Sequence, residues 1–224
     1  MRFPFAAISR IVLLSLIVLA PSAILAQAGQ AGQAEDNPIA EFWSWFASQA
    51  ARVKEGGDDA ENREAMAYWL GRIRPGLSYQ ILQRGRKAEL VLTADGQIAL
   101  FGTVAAVARA APKIKGWKIT ALRAKTRKLS TVRIGDAAID PATTWFDLYQ
   151  DSARLGVVFY LPEFQGEHIE DYRKAARVLM CQAVGERNVG NEIGFVDIDS
   201  RDVRDAQFSR PFTDFSTVFN GLRR

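Results

Sequence analysis

Leu77-Ser-Tyr-Gln-Ile-Leu-Gln-Arg-Gly-Arg-Lys-Ala-Glu-Leu-Val-Leu-Thr93 is the stretch in which the chain changes period. Leu77, Tyr79 and Ile81 alternate with Ser78 and Gln80, Arg84-Gly85-Arg86 turns, and Ala88 to Thr93 forms a second extended run. A hairpin here forces the flanking helices to pack on a sheet, which excludes an all-helical fold.

Upstream the period is helical. Asn37 is a cap with Pro38 in the first turn, and a wheel at 100° per residue gathers Ile39, Phe42, Trp43, Phe46, Ala50 and Val53 on one face. The cluster Phe42-Trp-Ser-Trp-Phe46 is therefore core, except for Trp45. Trp45 falls on the flank beside Gln49 and Arg52, where it either packs on a neighbouring helix or stays open as a binding residue. Gly56-Gly57 breaks the helix, and Asp58 with Glu61 resembles a capping box for a second one carrying Met66, Trp69, Leu70 and Ile73. Two helices joined by so short a turn should pair as an N-terminal hairpin.

Downstream, Asp95-Gly96 turns, 98–111 is helical up to Pro112, and Trp117 to Arg123 alternates again. A short hairpin spans Thr131 to Ile139 and turns at Gly135-Asp136. The order then recurs: strands at 144–150 and 155–161, a helix at 168–184 and a strand at 194–199. Both halves read ββαβ, which suggests an internal duplication of 77–123 and 144–199 contributing to one mixed or antiparallel sheet. Phe212, Phe215, Val218 and Phe219 close the chain as a helix. The expected fold class is α+β, a single domain over 38–224 with helices packed on the sheet.

The N-terminus has the layout of a secretory leader: Arg2 and Arg10, an apolar run from Ile11 to Ala20, Pro21, and small residues at Ala26 and Ala28. Cleavage after Ala28 is expected, with Ala26 as the competing site, and 29–37 follows as a flexible linker built on Gln-Ala-Gly repeats. The apolar run is shorter than the roughly 20 residues of a comfortable membrane span, so contact with a membrane arises only if the leader stays uncleaved. The expected location is periplasmic or secreted.

Removing Arg2 and Arg10 lowers the formal charge of +4 to about +2. Its distribution says more than its sum: between Gly96 and Gly135 lie Arg109, Lys113, Lys115, Lys118, Arg123, Lys125, Arg127, Lys128 and Arg133 with no acidic residue. The plain reading is a solvated basic loop. The sharper reading is contact with an anionic envelope component, through Lys125, Arg127 and Lys128 with Trp45, or with another protein. Nucleic acid is disfavoured because only Trp117 interleaves with the bases.

One histidine and one cysteine exclude a His/Cys zinc site within the chain. His168 and Cys181 lie on one helix, about 20 Å apart along its axis, so they form no catalytic pair. His168 reads as a partly buried structural histidine, with a general base as the alternative. Cys181 faces away from the helix's apolar side towards Lys174 and Arg177; Arg177 would favour a thiolate if the site were open, whereas a covering element would bury it. Asp197 and Asp199 alternate on a strand about 6.6 Å apart, close enough to flank a water or hold a hard cation, although alternate aspartates also suit any solvent-facing strand. Gly185-Glu-Arg-Asn-Val-Gly190 has phosphate-loop glycine spacing without the following Lys-Ser/Thr, and no cofactor or metal motif is found elsewhere.

Phe-Trp-Ser-Trp-Phe, Ala-Ala-Pro-Lys-Ile-Lys-Gly-Trp-Lys-Ile-Thr-Ala-Leu-Arg at 110–123, Asp-Pro-Ala-Thr-Thr-Trp-Phe-Asp at 140–147 and Gly-Phe-Val-Asp at 194–197 resemble an uncharacterised family of bacterial proteins with no established activity. The resemblance implies a shared fold over most of the mature chain and carries no catalytic residue. The leading expectation is a non-catalytic binding or interaction module; the alternative is a carboxylate- or metal-dependent hydrolase using Asp197 and Asp199, with His168 as optional base.

Overall fold

Asn37 caps the first helix as its position predicts, its side chain accepting from the Ala40 amide at 3.1 Å. The computed structural model describes residues 37–151 and 154–222; the leader and all of the linker but Asn37 lie outside them. The described fold is mixed α+β, with six helices and three sheets.

Helix α1 (Pro38–Gly56) buries Phe42, Trp43, Phe46, Ala50 and Val53, the face the wheel selects. Helix α2 (Ala60–Ile73) packs beside it through Trp45 and Trp69, which stack at 5.8 Å, and through an Arg72–Glu41 ion pair. Its cap is Asp59 rather than Asp58, because Asp59 Oδ1 reaches the Asn62 amide at 2.7 Å while Asp58 accepts from Tyr79. Two indoles fix α1 on the rest: Trp43 donates to the Val107 carbonyl at 2.9 Å and Trp117 to that of Ala50 at 3.1 Å.

Strands β1 (Ser78–Arg84) and β2 (Lys87–Thr93) pair antiparallel, and after α3 (Phe101–Arg109) strand β3 (Trp117–Ala121) pairs parallel with β2. Leu90 and Leu92 point to the side covered by α1, α2 and α3, forming the first core. The hairpin of β4 (Val132–Ile134) and β5 (Ala137–Ile139) is a separate two-stranded sheet, turned by Gly135 at φ 54°.

Strands β6 (Trp145–Asp151) and β7 (Arg154–Leu161) again pair antiparallel, and after α4 (Ile169–Val184) strand β8 (Ile193–Ser200) pairs parallel with β7. The short β9 (Arg210–Pro211) adds to the far edge, giving the order β8-β7-β6-β9. Phe146, Val157, Phe159 and Ile198 meet α4 and the phenylalanines of α6 (Phe215–Gly221) in a second core. The expectation of one sheet is thus corrected to three: the strands before residue 122 and those after 144 never pair, and each larger sheet has its own core.

What joins the two cores is the segment set aside as an imperfect phosphate loop. Gly185 (φ 87°) ends α4 and opens helix α5 (Glu186–Glu192), whose first side chain is wholly buried. The Glu186 carboxylate accepts from Thr93 Oγ1, Ala94 N, Gly96 N and Arg123 N at 2.7, 2.7, 3.2 and 2.7 Å. A buried carboxylate is tolerable only when donors replace its water, and here four do. Close approach requires glycine: a Cβ on Gly96 would sit 2.9 Å from Val189, and one on Gly190 2.3 Å from the Phe101 ring.

Glu186→Ala strands three buried amides and should lower stability by about 3–5 kcal/mol. Urea unfolding at neutral pH measures it; a loss below about 1 kcal/mol would show that the seam is held by packing alone.

Candidate functional site

Sheet alternation sends Leu90 and Leu92 inward and therefore sends Glu89 and Val91 to the other face of β2. There the register forms two cross-strand rows, Gln80–Val91–Thr120 and Leu82–Glu89–Lys118. These residues, with Arg84 and Leu122, floor and wall a cleft of about 650 Å³, and the loop after β3 rims it with Arg123, Ala124, Lys125, Thr126 and Arg127. Leu82, Val91 and Leu122 make part of its floor apolar, and five of its residues are basic against one carboxylate.

That carboxylate is fully occupied. Glu89 Oε1 accepts from Lys118 Nζ at 2.8 Å and Thr120 Oγ1 at 2.6 Å, and Oε2 from Arg84 Nε at 3.4 Å. These donors, Lys118 foremost and Thr120 next, outweigh burial and hold Glu89 below the ordinary carboxylate range. Arg123 is likewise committed, to Asp95 at 2.9 Å. Lys125 and Arg127 are exposed and, among the described residues, have no carboxylate within 4 Å.

The rim is a loop that is tied down. The Arg123 carbonyl accepts from Glu186 N at 2.9 Å, Thr126 N donates to the Gln182 carbonyl at 2.8 Å, and the Gln182 side chain accepts from Ser130 N at 2.9 Å. A loop pinned at three points presents its cations without first having to be ordered.

The other sequence candidates lie elsewhere. Lys128 is exposed on the same loop but does not line the cleft; its carbonyl accepts from Thr126 Oγ1 at 2.9 Å. Lys113 and Lys115 do not line it either, so only part of the basic segment faces the cleft. Trp45 is half-buried against Trp69, remote from the cleft's lining.

Asp197 and Asp199 share the outer side of β8, opposite the buried Val196 and Ile198. Asp197 is taken by Arg173 of α4 at 2.8 Å, which, with the Ile198 amide, keeps its carboxyl below the usual range. Asp199 accepts from the Ser200 amide at 2.7 Å. No group of three or more His, Cys, Asp and Glu positioned for a metal is present among the described residues. Nor is any described helix long and apolar enough to cross a membrane.

His168 is more exposed than the partly buried reading has it. It precedes α4 in a left-handed conformation (φ 52°), with its side chain about half exposed and Nε2 3.8 Å from Asp136 Oδ2. Cys181 is fully buried, because the side of α4 it occupies is covered by α5 and the turn at Gly96. Burial, not Arg177, dominates its thiol and pushes the pKa up.

Compared with known proteins, the chain matches no family model, no curated protein and no solved structure.

Because Glu89 has a depressed folded pKa, its stabilisation is complete above the unfolded carboxylate value and fades as pH falls through the folded one. Glu89→Gln should cost about 1–2 kcal/mol at pH 7, and the gap to the parent should close below about pH 4. Urea melts from pH 7 to pH 3 test this, and a gap that stays constant on acidification contradicts the assignment.

Proposed function

We propose that the chain is an exported binding module and that the cleft on the outer face of β1–β3 takes an anionic envelope component. The observation that carries this is the pair Lys125 and Arg127, without acidic partners, on a pinned loop above a cleft whose one carboxylate is already saturated by internal donors. Cations arranged this way attract an anion at little ordering cost, and the apolar floor accepts the uncharged part of such a ligand. Phospholipid headgroups and anionic cell-wall polymers both satisfy that chemistry.

The finer architecture belongs to the same reading: a helical hairpin followed by two ββαβ units, 77–123 and 144–199, related by internal duplication. In support, β2 and β7 each pair antiparallel with the preceding strand and parallel with the strand after the helical segment that follows, which is α3 in one half and α4 with α5 in the other.

Binding to vesicles containing phosphatidylglycerol should fall as salt rises from 50 to 300 mM and be absent on phosphatidylcholine alone. Lys125→Gln with Arg127→Gln should weaken it by about 30-fold, from about 1 kcal/mol per lost cation at an anionic surface. If the parent binds neither these vesicles nor anionic cell-wall fragments at low salt, the rim is only solvated.

Export has its own check. N-terminal sequencing of protein recovered from the cell envelope should begin after Ala28 or Ala26. Recovery with residues 1–26 intact rules out the cleaved leader.

A further inference from the structure

A second cationic hollow lies on the opposite side of the seam, where the turn 96–99 meets α4 and the start of β8. It encloses about 420 Å³ and is lined by Arg154, Arg173, Lys174 and Arg177, with Glu170 as its one acidic residue. These cations are not equivalent. Arg173 is held by two carboxylates, Glu170 at 2.6 Å and Asp197 at 2.8 Å, and Lys174 faces Asp171 at 3.5 Å. Arg154 is exposed and donates to a neutral acceptor, the Gly190 carbonyl at 2.6 Å, with no carboxylate within 4 Å among the described residues. Arg177 has no hydrogen-bond acceptor and no carboxylate within 4 Å among the described residues.

Arg177 is also half-buried, and burial, with repulsion from Arg154, pulls its guanidinium below the usual value despite attraction from Glu170. A partly desolvated guanidinium without a partner, beside a second guanidinium without a counter-charge, is unfavourable in the empty protein. The arrangement becomes favourable when an anion sits between the two forks. A carboxylate neutralises only one of them; a phosphoryl dianion neutralises both and offers oxygens for bidentate donation.

We propose that this hollow is a phosphoryl-binding site centred on Arg154 and Arg177, taking inorganic phosphate or the phosphoryl group of a small monoester. It shares no lining residue with the Lys125–Arg127 cleft and does not depend on the reading given to that cleft.

Titration calorimetry with inorganic phosphate and with glycerol phosphate, at matched ionic strength and pH 7.5, tests it. One phosphate should bind per chain, and at ten times its Kd it should raise the melting temperature by about 3–5 °C relative to chloride. Tighter binding of glycerol phosphate than of phosphate would identify the monoester as the ligand; equal binding would identify the free ion. Arg177→Gln should weaken phosphate binding at least tenfold while melting no lower than the parent without ligand, since it removes a desolvated charge. Arg177→Lys, which keeps the charge but loses the fork, should fall between the two. Lys125→Gln with Arg127→Gln should leave phosphate binding unchanged, which separates this site from the cleft. The proposal is overturned if the parent binds no phosphate, if Arg177→Gln binds it as the parent does, or if only the Lys125/Arg127 variant loses it.

Discussion

The buried carboxylate of Glu186 is the constraint on which the arrangement of the halves depends. Each larger sheet has its own apolar core, and hydrophobic contact alone is too unspecific to fix how one core sits against the other. A buried charge is specific because it tolerates only the geometry in which its donors are present. Glu186 draws those donors from the end of β2, the turn after it and the second residue after β3, so one side chain on α5 determines where three segments of the N-terminal half lie. Thr93 extends the network: its Oγ1 also accepts from Asp95 N at 3.0 Å and Arg123 Nε at 3.2 Å.

The cationic rim inherits that geometry. Arg123 is gripped from both sides of its backbone, its amide donating to the Glu186 carboxylate and its carbonyl accepting from the Glu186 amide. Residues 124–127 leave directly from this clamp, and Gln182, one turn before Gly185 on α4, ties down Thr126 and Ser130. The rim over the N-terminal sheet is therefore positioned by helices of the C-terminal half. A surface assembled in this way is only as well formed as the seam beneath it.

Local periodicity was legible in the sequence and long-range pairing was not. The apolar wheel of α1 follows from the 3.6-residue period and matches its buried residues closely, and both strands of the hairpin lie where they were expected, although β1 is only partly buried from Ser78 to Leu82 and β2 is buried on both faces. The division into three sheets could not be read, because strand composition does not encode which edge a strand joins. Helix α5 was hidden because its burial comes from Glu186, Val189 and Gly190, too few apolar residues over too short a span to show a period. For Cys181 the sequence left open burial or exposure, and burial holds because α4 is covered on more than one side, so the polar stripe through Lys174 and Arg177 does not continue to its C-terminal end. The basic run identified the rim by composition, yet the same composition included Lys113 and Lys115, which the fold sends elsewhere. Arg154 and Arg177 are separated by a strand and most of a helix, and nothing in either local sequence shows that they meet.

The two hollows share one electrostatic construction. In each, the carboxylate present is consumed by internal donors: Glu89 by Lys118, Thr120 and Arg84, and Glu170 by Arg173. A surface selected only for solubility intersperses signs, and its charges pair or point into bulk water. Here the cations that remain are gathered around concavities, with Lys125 and Arg127 exposed at a pinned rim and Arg177 held half out of water beside Arg154. Keeping a guanidinium partly desolvated and unpaired lowers stability, and a nearby carboxylate would relieve it at once. A single acidic side chain from the turn 96–99 would supply that relief, but the turn contributes Gly96, Gln97, Ile98 and Ala99, all uncharged. Glu170, which attracts Arg177, is itself paired with Arg173, so the hollow supplies little opposing charge of its own.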